Sequence, residues 1–347
     1  MKAVRVLGPG HVELVEISRP EPAVGEVGIR VLAVGICGTD IEIIKGHMAY
    51  YSSGMAAFPI TIGHEWVGEI SVLGKGVTGL ELGDRVVGEV SIGCMTCETC
   101  SSGAYHRCTS RTETGVMNRD GGLAEQMVLP ATAVHRISNR INVRSAALVE
   151  PSAVALNGVH LGGVGPTSQV AVMGDGPIGL LLLQVARAFG AHKVFVVGAD
   201  RARLDLALRL GADAAIDARS ESVPEALLRA GGGRRPTVVL EASGNPAAVD
   251  AAIAAAAPGA TIVLQGLCGC TPPKGLDLDR IVINDLTLRG ALGSPGIWPE
   301  VIGLIESGKI DPSAIVTHDL PMWDFARALE IIEARLAVKL LLRPADA

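Results

Sequence analysis

Aromatic and charged residues are scarce in this sequence. Of its 347 residues only 3% are aromatic and 19% charged, whereas 48% are hydrophobic and 43 are glycine. This composition is typical of a soluble globular protein of about two domains, and it suits parallel sheets joined by tight turns. The net charge is −6 and no cluster of basic residues is present. Nucleic acid and anionic lipid are therefore not expected as partners.

Long hydrophobic runs are also missing. The longest, IGLLLLQVA over 178–186, is too short to span a bilayer. In the first residues, MKAVRVLG, apolar and polar residues alternate as they do in a strand. This segment lacks the apolar core of a signal peptide. Five of the seven cysteines stand at candidate metal positions, which leaves Cys268 and Cys270. Reduced thiols and metal use predict a cytoplasmic protein without a membrane association.

Four cysteines occur close together, at Cys94, Cys97, Cys100 and Cys108. Two-residue spacers let the backbone curl round an ion, and four thiolates suit a tetrahedral Zn²⁺. Because four protein ligands leave no open position, we predict a structural zinc that holds together a lobe too short to pack its own core. Two disulfides or an iron–sulfur cluster are the alternatives. The missing secretory signal disfavours the first, and the missing Cys-Pro ending disfavours the second.

The pattern of the sequence changes after Pro151. Before it, short strands are broken by glycine and proline; after it, Val/Ile/Leu runs alternate with helical patterns that close on glycine. Such alternation builds a doubly wound parallel sheet. After about residue 296 come two helices and a last strand, AVKLLLR, which can pair back with the first part. We therefore predict an α/β protein, with a β-rich domain from 1–153 and 297–347 and a Rossmann domain at 154–296.

A glycine-rich turn opens the predicted Rossmann domain after the strand QVAVM. Its residues are Gly174, Asp175, Gly176, Pro177, Ile178 and Gly179. Gly174 allows the tight bend, Gly176 lets a pyrophosphate approach, and Gly179 lets helix and strand pack closely. The phosphates are expected at the positive end of the following helix, with the side chain of Asp175 pointing away from them. The alternative is a purely structural turn.

An acidic residue that contacts the ribose is expected about twenty residues further on, at the end of the strand HKVFVVG. That position is Gly198, and Asp200, Arg201 and Arg203 follow. Asp200 could accept from the ribose hydroxyls, whereas Arg201 or Arg203 could pair with a 2′-phosphate; alternatively, Asp200 only caps the next helix. Since no arginine stands at the strand end itself, NAD is favoured, with NADP as the alternative.

A second candidate metal site is spread along the chain, at Cys37, His64, Glu65 and Glu150. A catalytic zinc uses about three protein ligands and keeps one position open. The spacing alone does not single these residues out. A lone cysteine is most often a buried apolar residue, and adjacent His and Glu are often an ordinary structural pair. From the residues alone, both interpretations stay open.

Five motifs occur in the order and spacing of the zinc-dependent medium-chain alcohol dehydrogenases. They are CGTD at 37–40, GHE at 63–65, the four-cysteine lobe, Glu150-Pro151 and GDGPIG at 174–179. The sequence resembles this family along essentially its whole length, and more narrowly its sorbitol, threonine and glucose dehydrogenase branch. The resemblance implies a GroES-like catalytic domain beside the Rossmann domain, two zinc ions per chain, NAD(P), and a homodimer or homotetramer. It implies hydride transfer between a secondary alcohol (a polyol, sugar, amino alcohol or cyclic alcohol) and NAD(P), giving the ketone.

The resemblance also assigns the zinc ligands. Cys37, His64 and Glu65 match the catalytic zinc ligands, and Glu150 matches a fourth carboxylate that binds directly or through a water. Asp40 matches the carboxylate that orients the ligating His64. The family's nicotinamide and ribose contacts map to Ile178, Gly198, Arg203, Leu267, Ala291 and Leu292.

A proton relay is implied in the same way. Thr39 matches the hydroxyl that takes the alcohol's proton. Relatives commonly place a histidine two residues after the equivalent of Asp40, where this chain has Glu42, so Glu42, His47 or water completes the relay. A zinc-free reductase of the same fold and a non-catalytic dinucleotide sensor are the alternative functions. Tyr50, Tyr51, Phe58, Met117 and Trp298 are either walls of an apolar substrate pocket or core residues.

Overall fold

The computed structural model of the protein describes residues 1–268 and 275–344. They form two units: the first combines Met1–Glu150 with the chain from Gly293 onward, and the second is Pro151–Leu292. Cys270 lies outside the described residues. The boundary after Glu150 falls inside a helix, where the sequence shows no break. The domain limits at 153 and 297 therefore stay predictions.

The strands are short, as expected from the many glycines and prolines. Those before the second unit are β1 (Lys2–Gly8), β2 (His11–Glu16), β3 (Glu26–Gly35), β4 (Ile60–Thr61), β5 (Glu65–Leu73), β6 (Arg85–Gly88), β7 (Ser91–Ile92), β8 (Thr112–Thr114), β9 (Asn118–Arg119), β10 (Gln126–Pro130) and β11 (Val134–Arg136). Those of the second unit are β12 (Gln169–Met173), β13 (Lys193–Gly198), β14 (Ala214–Asp217), β15 (Val238–Glu241), β16 (Thr261–Leu264) and β17 (Thr287–Gly290). The last are β18 (Val316–Pro321) and β19 (Lys339–Arg343).

Helices dominate only the middle of the chain. The first unit begins with α1 (Gly38–Lys45), α2 (Ala49–Ser52), α3 (Glu98–Ser101) and α4 (Val143–Ala147). Then come α5 (Val149–Gly162), α6 (Pro177–Ala188), α7 (Arg201–Arg209), α8 (Val223–Ala230), α9 (Pro246–Ala255) and α10 (Leu278–Ile283). The chain ends with α11 (Trp298–Glu306) and α12 (Phe325–Glu333). Among the residues that the structure describes, no helix is long and apolar enough to cross a membrane.

The first unit is organised round a seven-stranded sheet in the order β11-β6-β5-β3-β19-β18, with β10 also paired to β3. The closing strand β19 pairs antiparallel with β3 through Leu341 and Leu342, so the end of the chain returns to the first unit as expected. Alternating apolar residues of these strands form one core, in which Ile29 and Trp66 are almost fully buried. The predicted β-rich part of the fold is confirmed.

The second unit is a six-stranded sheet in the order β14-β13-β12-β15-β16-β17, and every neighbouring pair is parallel. This is the order of a doubly wound dinucleotide-binding sheet, in which ligands bind outside the carboxyl ends of the strands. All five residues of β12 are buried, because helices cover both faces of such a sheet. The predicted Rossmann class is confirmed.

Candidate active site

Three side chains converge in the first unit. The ligand atoms of Cys37, His64 and Glu65 all lie within 4.8 Å of one another. Cys37 is the N-cap of α1, and His64 directly precedes β5, which Glu65 opens. His64 and Glu65 are buried, whereas Cys37 is half-buried. A thiolate, an imidazole and a carboxylate gathered in this way are a donor set that fits zinc.

Asp40 connects the two chain segments that supply these candidate ligands. Its Oδ2 accepts from the Cys37 amide at 2.8 Å and its Oδ1 from the Gly63 amide at 3.1 Å. Oδ1 also lies 3.6 Å from Nδ1 of His64, a buried atom without a hydrogen-bond partner among the described residues. Burial lowers the pKa of His64, but Asp40 and Cys37 raise it more, to well above its usual value. The negative potential responsible for this shift also favours a bound cation.

Gly35 makes room for the carboxylate of Glu65. The two residues face each other across the β3–β5 ladder, and a Cβ on residue 35 would overlap with Oε2 of Glu65. Gly63 is constrained in a different way: its φ is +97°, and a Cβ there would come within 2.9 Å of Leu123 and Val34. The two glycines therefore restrict the positions of the two adjacent candidate ligands, His64 and Glu65.

Gly35→Ala should consequently displace the Glu65 carboxylate. We expect a loss of about 1–3 kcal/mol in the free energy of unfolding, because an added methyl group overpacks a buried site. Zinc retained after dialysis should also fall. Gly38→Ala is the matched control, since a Cβ on Gly38 meets nothing within 4 Å. Thermal midpoints and zinc content of the two variants check this prediction, and equal behaviour would contradict it.

Lys339 is a site residue that the sequence analysis missed. Its Nζ lies 2.7 Å from both carboxylate oxygens of Glu65 and donates to the carbonyl of Ile36 at 3.0 Å. Lys339 is only 3% exposed. Burial lowers its pKa, but Glu65, Cys37 and Asp40 together outweigh this effect and the pKa is raised. The available signal was a lysine in the apolar run AVKLLL, because a buried charged residue needs a counter-ion.

Glu150 lies near this set but is not one of the converging residues. It belongs to the first turn of α5 and is 9% exposed. Burial raises its pKa to about 7, although the nearby His64 acts in the opposite direction. Its role as a fourth zinc ligand therefore stays a prediction.

The candidate relay residues fall into two places. Thr39 Oγ1 lies 3.8 Å from Cys37 Sγ, next to the converging ligands. Glu42 and His47 face each other at the end of α1, with His47 Nδ1 3.7 Å from Glu42 Oε2, and both side chains are exposed. In the described part of the chain neither of them hydrogen-bonds to Thr39.

The four-cysteine lobe has the dimensions of a zinc site. Sγ of Cys94 lies 3.9 Å from that of Cys100, and Sγ of Cys97 lies 3.8 Å from that of Cys108. Disulfide sulfurs are about 2.05 Å apart, so neither pair is bridged. Four sulfurs at about 2.3 Å from a tetrahedral zinc are about 3.8 Å from one another. The Thr96 hydroxyl donates to Cys94 Sγ and, together with the backbone amides of Thr96 and Cys97, lowers the pKa of this thiol to about 6, which favours metal binding.

The glycine turn has the geometry that phosphate binding needs. Gly174 has a φ of +126°, and a Cβ on Gly179 would overlap with the carbonyl of Gly174. Gly176 is the N-cap of α6, Pro177 follows as its first residue, and the space beside Gly176 is open. The free amides at the start of α6 therefore face a place where a pyrophosphate can approach.

The other predicted cofactor contacts lie at the same edge of the second unit's sheet. Carboxyl ends of parallel strands meet at one edge, and Gly198 ends β13 while Leu267 and Ala291–Leu292 follow β16 and β17. Leu267 is 77% exposed. Asp200 caps α7 by accepting from the Arg203 amide at 3.1 Å, which is the alternative that the sequence left open for it.

The fold and these clusters define the class of protein: an enzyme that binds a dinucleotide and metal ions. The family model described as alcohol dehydrogenase GroES-like domain matches residues 23–139, and the one described as zinc-binding dehydrogenase matches residues 177–307. The L-threonine 3-dehydrogenase of Pyrococcus horikoshii is 36% identical over 96% of each chain. The sorbitol dehydrogenase of Halalkalibacterium halodurans is 32% identical over 98% of this chain and 97% of its own.

A solved structure agrees with these relatives. The crystal structure of an enzyme described as a short chain alcohol dehydrogenase from E. coli CFT073, complexed with NADH, has a TM-score of 0.91 and 31% identity, covering 99% of both chains. The chain belongs to the zinc-dependent medium-chain alcohol dehydrogenase family. It is an NAD(P)-dependent zinc oxidoreductase of secondary alcohols, as the resemblance implied.

Proposed function

We propose that Cys37, His64 and Glu65 hold the catalytic zinc, with Glu150 as a fourth carboxylate. The observation that supports this assignment is the convergence of the first three ligand atoms within 4.8 Å, in a buried site whose potential is negative. The structural zinc is assigned to the four-cysteine lobe, which consists of Cys94, Cys97, Cys100 and Cys108.

The chain's own residues orient the substrate and move its proton. When bound, zinc supplies the Lewis acidity that makes the alcohol easier to deprotonate, and the nicotinamide supplies the hydride acceptor. Thr39, beside Cys37, accepts the hydroxyl proton and passes it on. Asp40 keeps Cys37 and His64 in place through the backbone on each side. Glu42 and His47 are exposed at the end of α1, so in this proposal the proton reaches them, or bulk water, through intervening waters.

The dinucleotide is assigned to the carboxyl edge of the second unit's sheet. The amides at the start of α6, beyond Gly174 and Gly176, would hold the pyrophosphate. Contacts to the nicotinamide and ribose are proposed for Pro177, Ile178, Gly179, Gly198, Asp200, Arg203, Leu267, Ala291 and Leu292. We assign NAD rather than NADP.

The substrate class is proposed to be a polyol or amino alcohol. Sorbitol and L-threonine, named for two relatives, both carry polar groups beside the reacting carbon. The hypothesis of an apolar pocket loses support, because Trp298 is 1% exposed and stacked on His135, and Met117 is also buried. Tyr51 stacks on Phe58 and donates to the carbonyl of Val116, so these two rings are held by their own contacts.

Zinc analysis together with a turnover screen tests the proposal. We expect two zinc ions per chain, and reduction of NAD with polyols or with L-threonine as substrate. Aliphatic and cyclic secondary alcohols, and NADP, complete the screen. If only one zinc per chain is found, the assignment of the catalytic zinc ligands is wrong and a zinc-free reductase is favoured. Dinucleotide binding without turnover on any alcohol would favour a sensor.

The remaining proposals concern the assembly and its location. We propose a homodimer or homotetramer in the cytoplasm, with small alcohols and ketones as its partners rather than nucleic acid. Unbridged thiols in the four-cysteine lobe support a reducing compartment. Sedimentation equilibrium of the full chain checks the oligomeric state, and a monomer would contradict this proposal.

A further inference from the structure

The strand end that normally carries the acidic ribose ligand has no side chain in this protein. Gly198 closes β13, and its φ is outside the left-handed region, so the backbone itself would accept another residue. The obstacle is Asp175: a Cβ on residue 198 would overlap with Oδ2, Cγ and Cβ of that side chain. The space beside the strand end is therefore filled by a carboxylate that comes from the glycine turn.

Asp175 is fixed firmly in this position. Its Oδ2 accepts from the backbone amides of Ala199 and Asp200, each at 2.7 Å. Two hydrogen bonds from neighbouring amides to one charged oxygen are strong, because the acceptor is ionised. The neighbouring acid, Asp200, directs its Oδ1 to the start of α7 instead.

We propose that Asp175 is the residue that determines cofactor specificity, taking the place of the missing strand-end acid and selecting NAD against NADP. This inference rests on the proposed dinucleotide binding. The first reason is charge: a carboxylate at this position repels the 2′-phosphate of NADP. The second is occupancy: the two amides that could donate to a 2′-phosphate already donate to Asp175.

Two nearby arginines are already paired with acids. Arg201 pairs with Asp205 at 3.1 Å, and Arg219 pairs with Asp217 at 3.2 Å. Asp217 ends β14 directly beside Gly198 in the parallel ladder. A 2′-phosphate bound by Arg201 or Arg219 would compete with the carboxylate that already pairs with that arginine.

The decisive measurement is the ratio of the dissociation constants for NAD and NADP, by calorimetry on the full-length zinc-loaded protein. We expect the wild type to prefer NAD, and Asp175→Asn, which keeps the shape, to shift the ratio toward NADP by about tenfold or more. Asp213→Asn is the charge-matched control: it precedes β14, at the opposite edge of the sheet, and should leave the ratio unchanged.

A rescue variant separates specificity from structural damage. Asp175→Gly should lose the NAD preference, and the double variant Asp175→Gly/Gly198→Asp should regain it, because only a glycine at 175 also removes the Cβ that would overlap with a side chain at 198. An unchanged ratio in Asp175→Asn with intact NAD binding would overturn the inference, and a shift in Asp200→Asn instead would make Asp200 the ribose ligand. If the wild type bound neither dinucleotide, the proposed function itself would fail, which is a distinguishable result.

Discussion

Cys37→Ala is expected to lower the zinc content from two ions per chain to one and to reduce turnover by more than about a hundredfold. Loss of a residue that only supports a zinc ligand already lowers metal affinity or activity by about 10–100-fold. Loss of a ligand itself should lower activity at least as much. The dissociation constant for NAD should stay close to that of the wild type, because the proposed dinucleotide contacts lie in the second unit. Elemental analysis, steady-state kinetics and calorimetry measure the three quantities.

Cys97→Ala provides the contrast for this experiment. It should also leave one zinc per chain, but its main effect should be a lower thermal midpoint, because the four-cysteine lobe depends on its metal for folding. The two variants therefore distinguish a catalytic zinc from a structural zinc. Two zinc ions and near-normal turnover in Cys37→Ala would remove Cys37 from the catalytic site.

The sequence predicted best those features whose residues are neighbours in the chain. Four thiols within one loop indicate a tetrahedral site, and the observed sulfur distances of 3.8–3.9 Å agree with it. The turn from Gly174 to Gly179 was likewise predictable, because its glycines are required by the conformation and close contacts of the turn itself. The alternation of apolar runs and helical patterns was sufficient to predict the parallel sheet.

The converging ligands could not be derived from spacing. Cys37 and Glu65 meet because β3 and β5 pair in a register that sets Gly35 against Glu65. No local pattern fixes that register, so only the family resemblance singled these residues out. The place of Asp175 depended in the same way on a distant position: its side chain needed a residue without a Cβ at 198.

The ion pair of Lys339 could not be predicted from the sequence either. An apolar closing strand was predictable, but its one lysine acquires a partner only when β19 joins the sheet beside β3. The ion pair with Glu65 has a functional consequence. A carboxylate with a lysine on both of its oxygens brings less net negative charge to the metal site than a free one, so Lys339 moderates the charge of the ligand set.

Lys339→Met should reveal the strength of this ion pair. Removing one partner of a buried ion pair typically costs about 3–5 kcal/mol, because the remaining charge is left buried and uncompensated. We expect a loss of this size in the free energy of unfolding when Lys339→Met is added to Cys37→Ala, which should lack the catalytic zinc, as measured by urea denaturation. Lys309→Met is the control, since Lys309 is exposed in the loop after α11.

The double variant Lys339→Met/Glu65→Gln distinguishes the effect of the uncompensated charge on stability from the effect of the changed side-chain shape. With both charges gone, most of the stability should return, because a buried pair replaced by neutral groups of similar volume is often close to neutral in free energy. Zinc content should nevertheless fall in the double variant, since Glu65 is a proposed ligand. If Lys339→Met lost less than about 1 kcal/mol in the Cys37→Ala background, Lys339 would not be the group that compensates the buried charge of Glu65. In the otherwise wild-type chain the loss should be smaller, because the zinc proposed beside Cys37 and His64 also compensates that carboxylate.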